Sequence, residues 1–403
     1  MERRRKRESA ISIADRFAAL PDGVHAQIVS LLPYWDVIQL YAVCRAWRRL
    51  ALHRAAAVVN IDLREFAMFG RFVPASVVLG HRSALRRIRC KVEELDLSYY
   101  AGDRCMNEEA NAIINTVDTH NISITVSYGP GDFRTALARG MDKWDLDMPS
   151  MATDLQVQGC GHRAPVVYGD NLRVLDLYQL EIHDAPRLPS LRSLTLQSVK
   201  VAGKVPFAPG EWCPHLEELR LEHDCTVENR LLDIRLPLLK LLVMEEVHVE
   251  SPLRDDADPY GRVAVDTPVL EELVVIGTTG FVVEFESFTL RAPVLRRLIW
   301  GEQYAERVVI DVGMPGSVTE GKIEFMSNGE LDEMSRREIK YYRAQLMQML
   351  RGILPDVPPS RIADVARPSM KVRTTTVVDE DTGETIPEER ITCNLRHLIS
   401  SHV

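Results

Sequence analysis

Two groups of residues have side chains of the types that bind metal ions, and they are the first candidates for chemistry. Cys213-Pro-His215 and His223-Asp-Cys225 supply four side chains that zinc accepts. The alternating leucines between the two pairs predict an extended strand, which holds the pairs about 25 Å apart at roughly 3.3 Å per residue. We therefore expect no zinc site.

The acidic run Asp255-Asp256-Ala257-Asp258 is the second candidate, but it lacks the ligand spacing of a calcium loop and is typical of a solvated turn. The sequence contains no nucleotide-binding glycine loop, zinc-protease helix or nucleophile elbow. None of its seven cysteines lies in a catalytic signature. The chain is therefore expected to be non-catalytic, without a cofactor or a metal.

Composition narrows the class of protein. The 403 residues suffice for two or three domains, and no run of about 18 apolar residues occurs. A net charge of −9 disfavours nucleic-acid binding, which needs clustered Lys and Arg. Scattered cysteines without a CxxC pair indicate reduced thiols, so we expect an intracellular protein. From the lack of a long apolar run and from the negative charge, we expect no membrane and no nucleic-acid partner. The run from Arg3 to Arg7 is either a nuclear-import signal or part of a solvated basic tail over residues 1–11, which leaves nucleus and cytoplasm open.

Proline and leucine recur together through the middle of the chain. Five copies of one pattern begin with a proline. A sixth copy, Leu172-x-x-Leu175-x-Leu177, lacks the proline, and weaker copies lie nearer the N-terminus at Val92, Ile122 and Leu155. The first leucines of successive strong copies lie 19, 25, 23, 31 and 25 residues apart, a period typical of leucine-rich repeats. The full pattern, Pro-x-Leu-x-x-Leu-x-Leu with Met, Val or Trp ending some copies, begins at Pro189, Pro214, Pro237, Pro268 and Pro293.

Each leucine pair predicts a short strand whose leucines point inward and whose intervening residues point outward. Because one copy cannot bury its leucines alone, neighbouring copies must stack. The expected fold class is therefore α/β, with a curved leucine-rich-repeat solenoid over residues 58–312 and a parallel sheet on its concave face.

Residues 12–57 predict three short helices ahead of the repeats. The first begins near Pro21 and Asp22, where proline needs no N–H partner and the acid meets the positive end of the helix dipole. Pro33 ends this helix, and two more follow from about Trp35 and Cys44.

Residues 313–403 are expected to cap the array. A loop rich in small residues runs from Gly313 to Gly329, and an apolar stripe at helical spacing then predicts a long helix over 331–354. A strand from Val372 to Val378 and an acidic turn at 379–384 predict a hairpin.

The helical module over residues 12–57 resembles the F-box. The family pattern has Leu-Pro, apolar residues at helical spacing, an acidic residue and a Val-Cys-Arg-x-Trp-Arg stretch. This chain has Leu20-Pro21, Asp36 and Val43-Cys44-Arg45-Ala46-Trp47-Arg48 at those places. With its repeats, the whole chain is similar to the large plant class of F-box proteins with leucine-rich repeats, and its C-terminal segment is similar to the FBD-type regions of that class.

The resemblance implies a non-catalytic substrate receptor of an SCF (Skp–cullin–F-box) ubiquitin ligase. The F-box would bind the Skp-type adaptor, and through it cullin, while the repeats would bind an unknown target protein. A small helical unit with an apolar edge is a suitable docking surface. The expected adaptor-binding residues are Leu20, Pro21, Val24, Ile28, Leu31 and Leu32.

The expected target site lies on the concave face. Strand alternation places polar residues outward on the early strands and apolar residues outward on the late ones, and exposed apolar patches mark partner sites. Covering of these residues by the C-terminal hairpin, or by the loop before the long helix, stays open as an alternative. The apolar patch, as it is called below, consists of Leu241, Val243, Val274, Ile276 and Ile299.

Two other functions stay open. An F-box/repeat scaffold that binds partners without promoting ubiquitination would have the same sequence features. A small-molecule-dependent receptor of the hormone-receptor type would share this plan as well, although the acidic overall charge disfavours it.

Overall fold

The computed structural model describes residues 20–32, 36, 58–66, 75–88, 92–101, 104–128, 144–202, 207–250, 260–277, 285–313, 316–327, 336–369, 371–378 and 385–396. The helices in these parts are α1 (Asp22–Ser30), α2 (Ala75–Ile88), α3 (Arg104–Ile114), α4 (Pro209–Trp212), α5 (Arg336–Ile353) and α6 (Pro359–Ala366). The strands are β1 (Val58–Asp62), β2 (Glu94–Ala101), β3 (Asn121–Tyr128), β4 (Asp145–Asp147), β5 (Asp154–Arg163), β6 (Val166–Tyr168), β7 (Val174–Ile182), β8 (Ser193–Gln197), β9 (Lys200–Val201), β10 (Glu218–Glu222), β11 (Cys225–Val227), β12 (Leu231–Ile234), β13 (Leu241–Glu245), β14 (Val247–Val249), β15 (Gly261–Asp266), β16 (Glu272–Ile276), β17 (Phe285–Arg291), β18 (Arg297–Gly301), β19 (Ala305–Asp311), β20 (Glu320–Ser327), β21 (Arg373–Val378) and β22 (Thr385–Asn394).

The chain divides into two compact units. The first consists of Met1–Cys160 with Val167–Leu172, and the second of Gly161–Val166 with Arg173–Val403. In the first unit, β1, β2, β3 and the beginning of β5 pair in that order, all in parallel. The helix α3 packs against β2 and α2. The first unit is therefore a small parallel sheet with helices between its strands.

The main sheet of the second unit holds the proline-containing copies. Its parallel strands follow the order β7, β8, β10, β13, β16, β18 and β20, with residues of one copy in register with those of the next. Leu219, Leu242, Leu273 and Leu298 are in register across four of these strands and are fully buried. The expectation of a mixed α/β fold with a large parallel sheet is confirmed.

Each repeated proline occupies the second position of a tight turn that leads into the main sheet. In the first of these turns, the Leu191 N–H donates to the carbonyl of Leu188 at 3.2 Å, with Pro189 between them. The same bond closes the turns at the other four prolines, from Leu216, Leu239, Leu270 and Leu295. Proline favours this position because its ring fixes the φ that the turn needs. Each repeated proline in the sequence therefore marks a turn of the same kind.

A second parallel sheet, which the sequence patterns did not predict, lies opposite the main one. It contains β12, β15, β17 and β19 in that order. Phe288 on β17 meets Trp300 on β18 edge to face, with ring centroids 4.9 Å apart. Both side chains are fully buried, so the core of the second unit lies between the two sheets.

Four strands of the main sheet are followed directly by a residue in the left-handed region. Ser198, His223, Glu246 and Glu302 have φ between 52° and 55° at these places, after β8, β10, β13 and β18. The Glu246 N–H donates to the carbonyl of Ile276 at 2.8 Å, so the turn continues the hydrogen-bond ladder between copies. Left-handed backbone costs an L-residue about 1–2 kcal/mol.

Replacing Glu246 by glycine is therefore expected to raise the free energy of unfolding by about 0.5 kcal/mol, the relief of left-handed strain less the added chain entropy. The matched control is Glu245→Gly, in the extended backbone of β13, which should lower the free energy of unfolding by about 1 kcal/mol. Urea unfolding of the two variants and the wild type measures both changes in this free energy. Shifts of the midpoint in the same direction would contradict the strain argument.

The C-terminal segment closes the end of the second unit. The helix α5 spans Arg336–Ile353 and packs along β19, where the Gln348 side chain accepts from the Val308 N–H at 2.9 Å. The hairpin of β21 and β22 pairs with β20 in antiparallel fashion, in the plane of the main sheet. The helix α6 was not predicted.

The loop expected from Gly313 to Gly329 was wrong for its second half, because Glu320–Ser327 forms β20. Ile323 and Phe325 are buried on the inner side of this strand, in line with the leucines of earlier copies. Gly321 is paired with Leu298 at φ +140°, and a Cβ there would lie 1.9 Å from the Leu298 carbonyl oxygen. Because Gly321 stands at a position where other copies have leucine, the repeat pattern did not predict this strand.

Candidate functional site

The helix α1 is the described part of the F-box resemblance. It begins at Asp22, directly after Pro21, whose carbonyl accepts from the N–H groups of Val24 at 2.9 Å and His25 at 3.2 Å. The second and third expected helices, with Trp47, lie outside the described residues, as does the basic run from Arg3 to Arg7.

The predicted adaptor-binding side chains differ in exposure. Leu31 is 80% exposed and Val24 is 40% exposed, and Pro21 is exposed as well. Leu20, Ile28 and Leu32 are half-buried. An apolar side chain as open as Leu31 is stabilised by contact with a partner, because that contact removes it from water. The described end of the module therefore has an apolar edge available for docking.

The outer face of the main sheet holds the apolar patch. Val274, Ile276, Ile299 and Leu241 are half-buried, whereas their inward neighbours on the same strands are fully buried. Val243, Val274 and Ile299 occupy one register line across β13, β16 and β18. The structure thus brings the five predicted residues together on one side of three adjacent strands.

Val243 does not have the exposure that strand alternation suggested. It is only 7% exposed, although it is on the outer face. Its neighbours in register are Arg220 on β10 and Val274 on β16. Adjacent strands lie about 4.8 Å apart, so these longer or branched side chains shield a small valine between them. The accessible part of the patch is therefore formed by its other members.

The two described strands of the hairpin do not lie over the apolar patch, which was one alternative left open by the sequence. Six residues of β22, from Glu389 to Asn394, pair edge to edge with β20. The loop that was the other candidate cover, Gly313 to Gly329, contains β20 itself, and its residues 314–315 and 328–329 lie outside the described residues. Within the described residues, the hairpin therefore widens the outer face instead of covering it.

Charged residues of alternating sign form a row just before the strands of the main sheet. Each backbone N–H in this row donates to the carbonyl of the preceding member, for example from Lys240 to Glu217 at 2.7 Å. The Lys240 ammonium lies 2.6 Å from the Glu217 carboxylate, and Arg192 contacts the same carboxylate from the other side. Lys240 and then Arg192 hold the pKa of Glu217 below its ordinary value. The row consists of Arg192, Glu217, Lys240, Glu271 and Arg296.

A shallow groove of about 440 Å³ lies in the first unit, lined by Asp62, Arg64, Glu65, Tyr100 and Ser127. The Arg64 guanidinium donates to both carboxylate oxygens of Asp62, at 2.8 and 2.7 Å, and to Ser127 at 3.2 Å. The hydrogen bond from Arg64 lowers the pKa of Asp62. Because the arginine is neutralised within the groove, it is not a free anion-binding group.

The candidate metal ligands are not assembled into a site. Among the described residues, no group of three or more His, Cys, Asp and Glu side chains is close enough to hold an ion. Cys213 and Cys225 are buried, and burial raises the pKa of each thiol to about 12, which keeps both protonated and unreactive. The acidic run at 255–258 lies outside the described residues. No helix in the described parts of the chain is long and apolar enough to span a membrane.

Comparison with known proteins gives one match. Neither the curated proteins nor the solved structures contain a significant relative of this chain. Residues 17–56 match the family model described as F-box-like, a range that includes α1 and all six predicted adaptor-binding residues. F-box domains generally bind Skp-type adaptors. The chain therefore carries an F-box-like domain at residues 17–56.

Proposed function

We propose that this chain is the substrate-receptor subunit of a Skp–cullin–F-box ubiquitin ligase. The F-box-like domain binds the Skp-type adaptor and through it cullin, while the outer face of the main sheet binds a target protein. The observation that carries the proposal is the F-box-like match over residues 17–56, whose described part has Val24 exposed on α1 and Leu31 exposed directly after it. Such a subunit positions its target and leaves the chemistry to other members of the complex.

The second unit supports the remainder of the proposal. Its stacked parallel strands, each entered through a proline turn, are the arrangement expected of leucine-rich repeats. We assign the repeats to this type, and the chain to the plant class of F-box proteins that contain them, with three helices in the F-box and an FBD-like C-terminal segment. The protein acts in the nucleus or the cytoplasm.

The test is reconstitution of the full chain with a Skp-type adaptor and cullin. The chain should elute with both proteins from a sizing column as one complex. With the RING-type subunit of the ligase bound to cullin, and with ubiquitin, its activating and conjugating enzymes and ATP added, lysines of the receptor itself should become modified only when the adaptor is present. Failure to bind any Skp-type adaptor would contradict the proposal. Binding of the adaptor and cullin without any ubiquitin transfer would favour the scaffold function instead.

A further inference from the structure

The outer face of the main sheet is acidic around the apolar patch. The outward positions of β10, β13, β16, β18 and β20 carry six glutamates and three basic side chains, which leaves a net charge of −3. The glutamates are Glu218, Glu222, Glu245, Glu272, Glu320 and Glu324, and the bases are Arg220, Arg297 and Lys322.

All three bases are already paired with glutamates of the same face. Arg297 lies 2.8 Å from Glu272, and Arg220 lies 3.5 Å from Glu222. Lys322 contacts Glu324, which also accepts from the Thr392 hydroxyl at 3.0 Å and lies 3.7 Å from the Arg390 guanidinium of β22. No base on the outward positions of these five strands is left to neutralise the other three carboxylates.

The three spare carboxylates are those of Glu218, Glu245 and Glu320, and none has a basic partner within the described residues. Glu218 is in register with Leu241, and Glu245 with Ile276, both members of the apolar patch. Glu320 is in register with Arg297, one strand beyond β16. Because adjacent strands are about 4.8 Å apart, Glu218 and Glu245 border the patch directly on opposite sides, and Glu320 lies beside Arg297, two residues along β18 from Ile299. Glu218 and Glu320 are exposed, and Glu245 is half-buried.

We propose that the target segment captured on this face is a cationic one, with apolar side chains that contact Ile276, Ile299 and their neighbours and with Lys or Arg on either side of them. The proposal rests on the proposed function, since it names the class of partner for the same face. An apolar centre supplies the contact area, and unpaired carboxylates around it select positive charge and reject negative charge.

The test uses the full chain in complex with the Skp-type adaptor and two fluorescein-labelled peptides. Both peptides have the core Leu-Thr-Ile-Thr-Val, flanked in one by two lysines at each end and in the other by two glutamates. The lysine-flanked peptide should bind at least about tenfold more tightly, and its affinity should fall as salt is raised.

Two sets of variants locate the effect. Glu218→Gln, Glu245→Gln and Glu320→Gln together should remove most of the charge preference, whereas Ile276→Thr with Ile299→Thr should weaken both peptides. A control that removes two exposed acids of the second sheet, Glu306→Gln and Asp266→Asn, should leave binding of both peptides unchanged.

The outcomes separate the two proposals. Equal binding of both peptides, tighter binding of the glutamate-flanked one, or no binding of either would overturn the inference while adaptor binding stays intact. Loss of the preference in the control variant would also overturn it, since the charge effect would then come from the whole protein. A chain that fails to bind the adaptor would instead contradict the proposed function, whatever the peptides do.

Discussion

Replacing Leu31 by aspartate should weaken binding of the Skp-type adaptor about 30-fold. An apolar anchor that becomes buried in an interface contributes about 2 kcal/mol, and a carboxylate in the same place would have to be desolvated. The change should leave the chain folded, because Leu31 is 80% exposed in the free protein. Calorimetric titration of the purified variant with adaptor measures the loss.

Leu79→Asp is the matched control. Leu79 is 60% exposed on α2, and it lies outside the F-box-like range of residues 17–56. It should bind adaptor like the wild type. Full binding by the Leu31 variant would place the interface elsewhere in the domain, and equal losses in both variants would mean that the added charge acts generally.

Replacing Gly352 by alanine should lower the free energy of unfolding by about 2 kcal/mol, the usual cost of adding a methyl group where none fits. A Cβ at this position would lie 1.9 Å from the Ile310 carbonyl oxygen and 2.9 Å from the Ile310 Cβ. The helix α5 would have to move away from β19, which breaks the bond between Gln348 and the Val308 N–H. Scanning calorimetry should detect a melting temperature lowered by roughly 5 °C.

Gly80→Ala is the matched control, because the same chemical change should there raise the free energy of unfolding. Gly80 is an exposed position within α2, and a Cβ there would meet no atom within 4 Å. Alanine should therefore stabilise this helix by up to about 1 kcal/mol through its higher helix propensity. An unchanged melting temperature for the Gly352 variant would show that α5 can shift on β19 at little cost.

The main sheet was predictable because its signals are local. Each copy contains a turn fixed by proline and a strand fixed by two buried leucines, and both features lie within eight residues. The same locality explains why β20 was missed: Gly321 stands in place of a leucine for reasons of space against Leu298, which only the folded chain reveals.

The second sheet did have a signal in the sequence. Leu232 and Ile234 lie five and three residues before Pro237, and Val263 and Val265 have the same spacing before Pro268. Apolar pairs at this offset form β12 and β15 and become buried against the main sheet. A repeat template built around the leucines alone overlooked them.

The candidate site was predictable in its location and less so in its detail. Alternation of residues along a strand gives the side on which Val243 and Ile276 lie, but exposure depends on neighbours contributed by other strands. Shielding of Val243 by Arg220 and Val274 is a property of the register between copies, and so is the pairing that leaves Glu218 and Glu245 without a base. Neither can be read from a single copy.

The antiparallel hairpin fixes where the array can change in length. A further parallel copy would have to pair with β20 on the side that β22 already occupies, from Lys322 to Ser327. Any relative with more copies must therefore have gained them upstream of β20, between strands that already pair in parallel. For protein engineering, duplication of a complete copy such as residues 268–292 is the compatible way to lengthen the outer face of the main sheet, whereas repeats fused to the C-terminus would remain unstacked.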